Sequence, residues 1–181
     1  AAVREGMHLQ ALAVAPPLVA FGWLGGWLVP TLFGGDWEPL MGIYPAIALG
    51  LLTSSMFGLQ SAALYVRRRS WEVAVSHGAH LALLAGTAAL LVPRIGLMGY
   101  AWAEVAALAS FGVVHAYLAR AVGRISYAHM APLWGASAVA LALPRHPLVG
   151  GVLMAAAAAL GPTRTVVAGV WAELRSRPHG A

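Results

Sequence analysis

Long apolar stretches separated by short breaks that carry arginine recur along this chain, from Leu9 to Phe33 and onward almost to its C-terminus. A hydrocarbon core of ~30 Å takes roughly 20 helical residues at ~1.5 Å each, and peptide groups cannot be left unpaired in lipid. The pattern therefore predicts an all-α, polytopic membrane helix bundle. With 60% of its 181 residues hydrophobic and 9% charged, the chain has more apolar surface than a soluble domain of this length can hide. The net charge of +5 sits in the breaks between apolar runs, where arginines anchor topology, so no nucleic acid is expected as a partner. Cysteine is absent, which excludes disulfides, thiolate catalysis and cysteine-ligated clusters.

Six membrane helices are expected, roughly Met7 to Leu32, Pro39 to Val66, Trp71 to Val92, Leu97 to Ala119, His129 to Leu143 and Pro147 to Leu160. Residues 1–162 thus form a transmembrane bundle, with the last two helices short for a full crossing. Gly161-Pro162 breaks the chain, and residues 163–181 read as an amphipathic tail. Val166, Val167, Val170, Trp171 and Leu174 follow helical spacing there, as in a helix lying on the membrane surface. Nine of the eleven arginines fall on one side of this arrangement and only Arg94 and Arg145 on the other. The positive-inside rule then places both ends in the cytoplasm.

The order of the punctuation suggests a family. Val29-Pro30-Thr31-Leu32-Phe33-Gly34-Gly35-Asp36-Trp37-Glu38-Pro39 closes the first helix and opens the second. Leu91-Val92-Pro93-Arg94-Ile95-Gly96-Leu97-Met98-Gly99-Tyr100-Ala101-Trp102-Ala103 links the third to the fourth. From Arg4 to about Leu143 this resembles the C-terminal half of polysaccharide (lipid-linked oligosaccharide) flippases of the MOP exporter superfamily. Those proteins close one helix with a P-x-x-x-G-x-x-W-like run and start a later one with P-x-x-G-x-x-G-x-A-x-A. The resemblance implies a non-enzymatic transporter with no cofactor, in a bacterial inner membrane, serving cell-surface polysaccharide or O-antigen export. Its partners would be the bilayer, a polyprenyl-diphosphate-linked oligosaccharide and polysaccharide assembly proteins. The family has two lobes where this chain has one, and the chain opens Ala-Ala-Val with no signal-peptide n-region; a fragment of a longer protein is expected.

Several polar residues stand out against the apolar background. Glu104, about two turns inside the fourth helix, either meets a substrate or coupling ion or pairs with Arg94 or interfacial water, because a bare carboxylate in hydrocarbon is too costly. Its neighbours are expected to be small or polar residues of the first or third helix. His77 and His80 share one face of the third helix and either hydrogen-bond across helices or line a wet cleft; H-x-x-H alone is a weak metal signal, and no metal is expected. Gln60, with Thr53, Ser54, Ser55 and Ser61, makes a polar stretch on the second helix, suited to helix packing or to a translocation path. Arg67, Arg68 and Arg69, with Arg4 on the same side, anchor topology or attract anionic head groups such as the diphosphate of a polyprenyl-linked sugar. Pro16-Pro17 should kink or break the first helix, as a packing kink or as a transporter hinge. A multidrug or cation exporter of the same superfamily is the alternative, although it would favour more acids than Glu104 alone. An intramembrane haem or metal protein, using residues such as His8, His77 and His115, comes last, since H-E-x-x-H, G-x-S-x-G and dense His clusters are missing.

Overall fold

The computed structural model describes residues 2–128, 130–159 and 168–169, with the side chains of Ala2 and Arg4 outside the description. Among the described residues the chain is all-helical. It comprises α1 (Ala2–Phe33), α2 (Leu40–Val66), α3 (Ser70–Ile95), α4 (Leu97–Ala107), α5 (Phe111–Val122), α6 (Ala131–Ala142) and α7 (Pro147–Ala159). A three-residue turn of tighter helix, Leu108–Ser110, joins α4 to α5, and the two form one apolar span, Leu97–Val122. With α1, α2 and α3 this gives four helices long and apolar enough to cross a membrane. The chain is a membrane protein on that ground. As described, α6 and α7 hold 12 and 13 residues, ~18–20 Å at ~1.5 Å per residue, shorter than a full crossing. The expected tail helix from Thr163 lies outside the described residues.

At the centre of the bundle, α2 packs against α1, α3, α4, α5 and α6. On one flank, Met7, Ala11 and Ala15 repeat every fourth residue of α1 and meet Leu52 and Met56 of α2, with Met130 and Leu133 at the start of α6 closing the cluster. Small residues let the helices approach closely, which matters in lipid because packing rather than water exclusion drives association. On the other flank Leu64, Val73, Val114 and Leu118 join α2, α3 and α5. The outer side of α3 stays bare: Trp71, Leu81 and Leu90 are 78%, 64% and 60% exposed. Such exposure suits a lipid-facing helix and would be untenable in water.

Two sequence expectations are narrowed by the structure. Of the expected kink or break at Pro16-Pro17 the break does not occur: α1 runs from Ala2 to Phe33 with both prolines and Pro30 inside it. Each proline removes one backbone donor, and the rest of a 32-residue helix, packed along α2, holds the segment together. Pro93 does not end α3 at Val92 either: the helix reaches Ile95, and the turn falls at Gly96, whose φ of 59° is a conformation that other residues rarely adopt. Three residues on, a Cβ at Gly99 would come within 2.6 Å of backbone atoms of Leu91 and Val92. The glycines of the Pro93-to-Ala103 motif thus allow α4 to fold back tightly along α3.

Candidate functional site

One group of polar side chains gathers on the α3–α5 side of α2, while His8, Thr53, Gln60 and Ser137 are buried elsewhere. Ser54 and Ser61 of α2, Ser76, His77 and His80 of α3, and Ser110, Phe111 and Val114 at the start of α5 line one cavity of about 150 Å³. Ser110, almost fully buried, donates its hydroxyl proton to the Ala107 carbonyl at 2.7 Å, and the Nδ1 of His80 lies 2.9 Å from Ser110 Oγ. With that proton committed to Ala107, the imidazole must donate from Nδ1, and Nε2 is left as an acceptor. His80 is thereby oriented by an element 30 residues away. Ser76 bonds back to the Glu72 carbonyl within its own helix, and His77 sits at the exposed rim of the cavity. The tighter turn at Leu108–Ser110 places Ser110 at mid-span, where a local change of helix type often accompanies a functional position.

Glu104 is half-buried and accepts a hydrogen bond from the Tyr100 hydroxyl at 2.6 Å. Its other oxygen lies against Gly50 of α2, where a Cβ would come within 3.4 Å. The carboxylate thus faces the bundle beside a small residue, but on α2 rather than on the first or third helix, because the central helix is the one that α4 meets here. Arg94 is not its partner: that guanidinium folds back onto the Leu90 carbonyl, 2.8 Å away. Glu104 precedes Ser110 by six residues on the same span, ~9 Å along the helix.

Gln60 belongs to a different network. Fully buried, it donates from Nε2 to the Tyr127 hydroxyl at 2.7 Å, with the Met7 sulfur 3.7 Å away. Tyr127 in turn bonds Nδ1 of His115. The loop between α5 and α6 is thus tied to α2. Burial raises the Tyr127 phenol above its ordinary value, against a smaller lowering by the Gln60 bond, which keeps its O–H available as a donor.

The arginine turn is largely engaged in structure. Arg67 donates to the Ala121 carbonyl at the end of α5, 3.2 Å away, and Arg69 forms an ion pair with Glu72 in the first turn of α3. Arg68, exposed and at φ 58°, is the member of the triplet left facing outward. Pro16 lines an apolar cavity of about 410 Å³ with Trp23, Leu133 and Met154, so it does not face the polar cavity. No group of three or more His, Asp or Glu able to hold a metal occurs among the described residues.

Sequence reasoning found His77, His80, Ser54 and Ser61, but it missed Ser76, Ser110 and Tyr127. Only an interhelical contact marks Ser110, and no local spacing signals it. Fold and cavity together define a membrane helix bundle with a hydrophilic seam inside its apolar spans. No family model, curated protein or solved structure matches the chain.

Proposed function

We propose that this bundle is one lobe of a transporter that flips a lipid-linked oligosaccharide across a bacterial inner membrane, without enzymatic chemistry or a cofactor. The observation that carries the reading is the cavity of serines and histidines between α2, α3 and α5. A space of about 150 Å³ has room for roughly five waters at ~30 Å³ each, and its hydroxyl and imidazole groups offer the several partners that each water needs. A hydrated seam within helices that otherwise face lipid is what a polar cargo or a coupling ion requires. The order of the Pro30-to-Pro39 and Pro93-to-Ala103 motifs supports the choice of family, and both ends in the cytoplasm follow from the arginine asymmetry. That Glu104 is the one acid deep within a span among the described residues, Glu72 lying in the first turn of α3, favours a lipid-linked sugar over a cation exporter.

The test is complementation of a strain lacking its own flippase with the complete reading frame that contains this chain. Restored polymer export, with Glu104→Gln reducing export and flattening its pH or sodium dependence, supports the reading and gives Glu104 the coupling role. A normally inserted protein that exports no polymer overturns it. A silent Glu104→Gln with export intact leaves the carboxylate as a structural partner of Tyr100.

A further inference from the structure

Two cavities lie end to end along one face of α5. Leu108, Ala109 and Gly112 border an apolar groove of about 490 Å³, closed on its other sides by Thr53, Met56 and Phe57 of α2 and by Met130, Ala131 and Trp134. One turn further along α5, His115 and Ala119 border a second cavity of about 360 Å³, completed by Arg124, Ile125 and Ser126. Leu108, Gly112, His115 and Ala119 share one helical stripe at spacings of three and four residues, which sets groove and cavity next to each other along the helix. Tyr127 stands at the junction: its ring borders the groove and its hydroxyl bonds His115.

The polar groups of the second cavity are donors. Gln60 donates to the Tyr127 oxygen, so the phenolic proton goes to Nδ1 of His115, and the imidazole keeps Nε2–H as its free donor. Ser126 accepts the Ala128 N–H at 3.4 Å, which leaves its O–H to be donated. Arg124 adds a guanidinium, and among the described residues no carboxylate lines either cavity. This donor set lies at the arginine-rich end of the bundle, and the apolar groove extends from it towards mid-span.

From this arrangement we infer a binding site for one phospholipid with an anionic phosphate headgroup: phosphate against Arg124, His115 and Ser126, an acyl chain in the groove over Gly112. Charge complementarity selects the headgroup, since three donors without an acceptor suit a phosphate oxygen cluster and offer nothing to a zwitterion's ammonium. The site is separate from the Arg67–Arg69 turn, whose first and third members are engaged with Ala121 and Glu72. It holds whether or not the bundle transports anything.

The full chain, purified in detergent, is titrated with phosphatidylglycerol or with phosphatidylcholine of the same acyl chains, and bound lipid is counted by native mass spectrometry. Phosphatidylglycerol should bind in preference. Arg124→Gln should weaken it about fivefold, the factor corresponding to ~1 kcal/mol per arginine at a membrane surface. Gly112→Phe, at a position where an added Cβ meets nothing within 4 Å, should block the chain and abolish retention. Arg120→Gln serves as control, because Arg120 lies over the Tyr117 ring and borders neither cavity. Ser126→Ala reports on the headgroup should either main variant fail to fold. Equal retention of phosphatidylcholine, an Arg120→Gln loss as large as that of Arg124→Gln, or unchanged binding in Gly112→Phe and Ser126→Ala each overturns the site. Displacement by inorganic phosphate would overturn the lipid and leave a site for the free anion, and binding that appears only after removal of residues 163–181 would make that segment the groove's occupant.

Discussion

The two flanks of α2 solve different problems with the same helix. Towards α1, α6 and α7 a cavity of about 410 Å³ is lined by Leu12, Pro16, Val19, Trp23 and Met154 among other apolar residues. Towards α3 and α5 a smaller cavity of about 150 Å³ is lined by four serines and two histidines. An apolar void in a membrane protein exchanges one hydrocarbon contact for another and asks for no water. A polar void can hold water or a ligand at the groups that its own hydrogen bonds leave open, such as Nε2 of His80. Apolar clusters hold the bundle together on both flanks, and the second also keeps a small polar space among them.

The sharpest way to break this contrast is to fill each cavity in turn. Ser110→Leu removes the hydroxyl that orients His80 and crowds the seam, so export should fall to background while stability drops by about 1–3 kcal/mol, the usual cost of overpacking. Ala20→Leu, on the opposite flank, should leave export intact and stabilise the fold by about 0.5–2 kcal/mol through cavity filling. Thermal unfolding in detergent beside the complementation assay reads both effects, and equal loss of export in the two variants would erase the distinction.

Smaller effects refine it. Tyr127→Phe leaves Gln60 Nε2 and His115 Nδ1 without their partner and should cost about 1–3 kcal/mol, with bound phosphatidylglycerol falling because His115 loses its orientation. Trp134→Phe removes a single interhelical bond, from the indole to Thr53 Oγ1 at 3.0 Å, and should cost only ~0.6 kcal/mol. The smallest effect is alkaline. Tyr127 has a folded-state pKa raised by burial, so its share of stability is complete below the unfolded value of about 10 and is lost as pH rises through the raised one. Between pH values of about 9 and 11 the wild type should lose more melting temperature than Tyr127→Phe; parallel losses would place the phenol outside the network.

Much of the fold was legible because membrane insertion imposes it locally. Apolar run lengths give the helices, whereas the turn at Gly96 and the close approach at Gly99 emerged only once α4 was seen folded against α3. The proline pair left kink and break open, since a break in a helix depends on whether neighbours hold the segment together, and α1 is not broken. The paired imidazoles of His77 and His80 were visible at i, i+3, whereas their partner Ser110 lies 30 residues beyond His80.

The sequence by itself determined that this is an all-helical membrane chain, where its main spans fall, and which polar residues must avoid lipid; each of these follows from the cost of exposing peptide groups or charge to hydrocarbon, a cost paid residue by residue. Tertiary structure alone decided which serines and histidines share a cavity beside α2, that Glu104 faces Gly50 and not Arg94, and that Gln60, Tyr127 and His115 form one network. Those outcomes depend on helix rotation and side-chain reach between elements far apart in the chain, and packing in lipid, where no hydrophobic force sorts one helix face from another, fixes them only when the whole bundle is assembled.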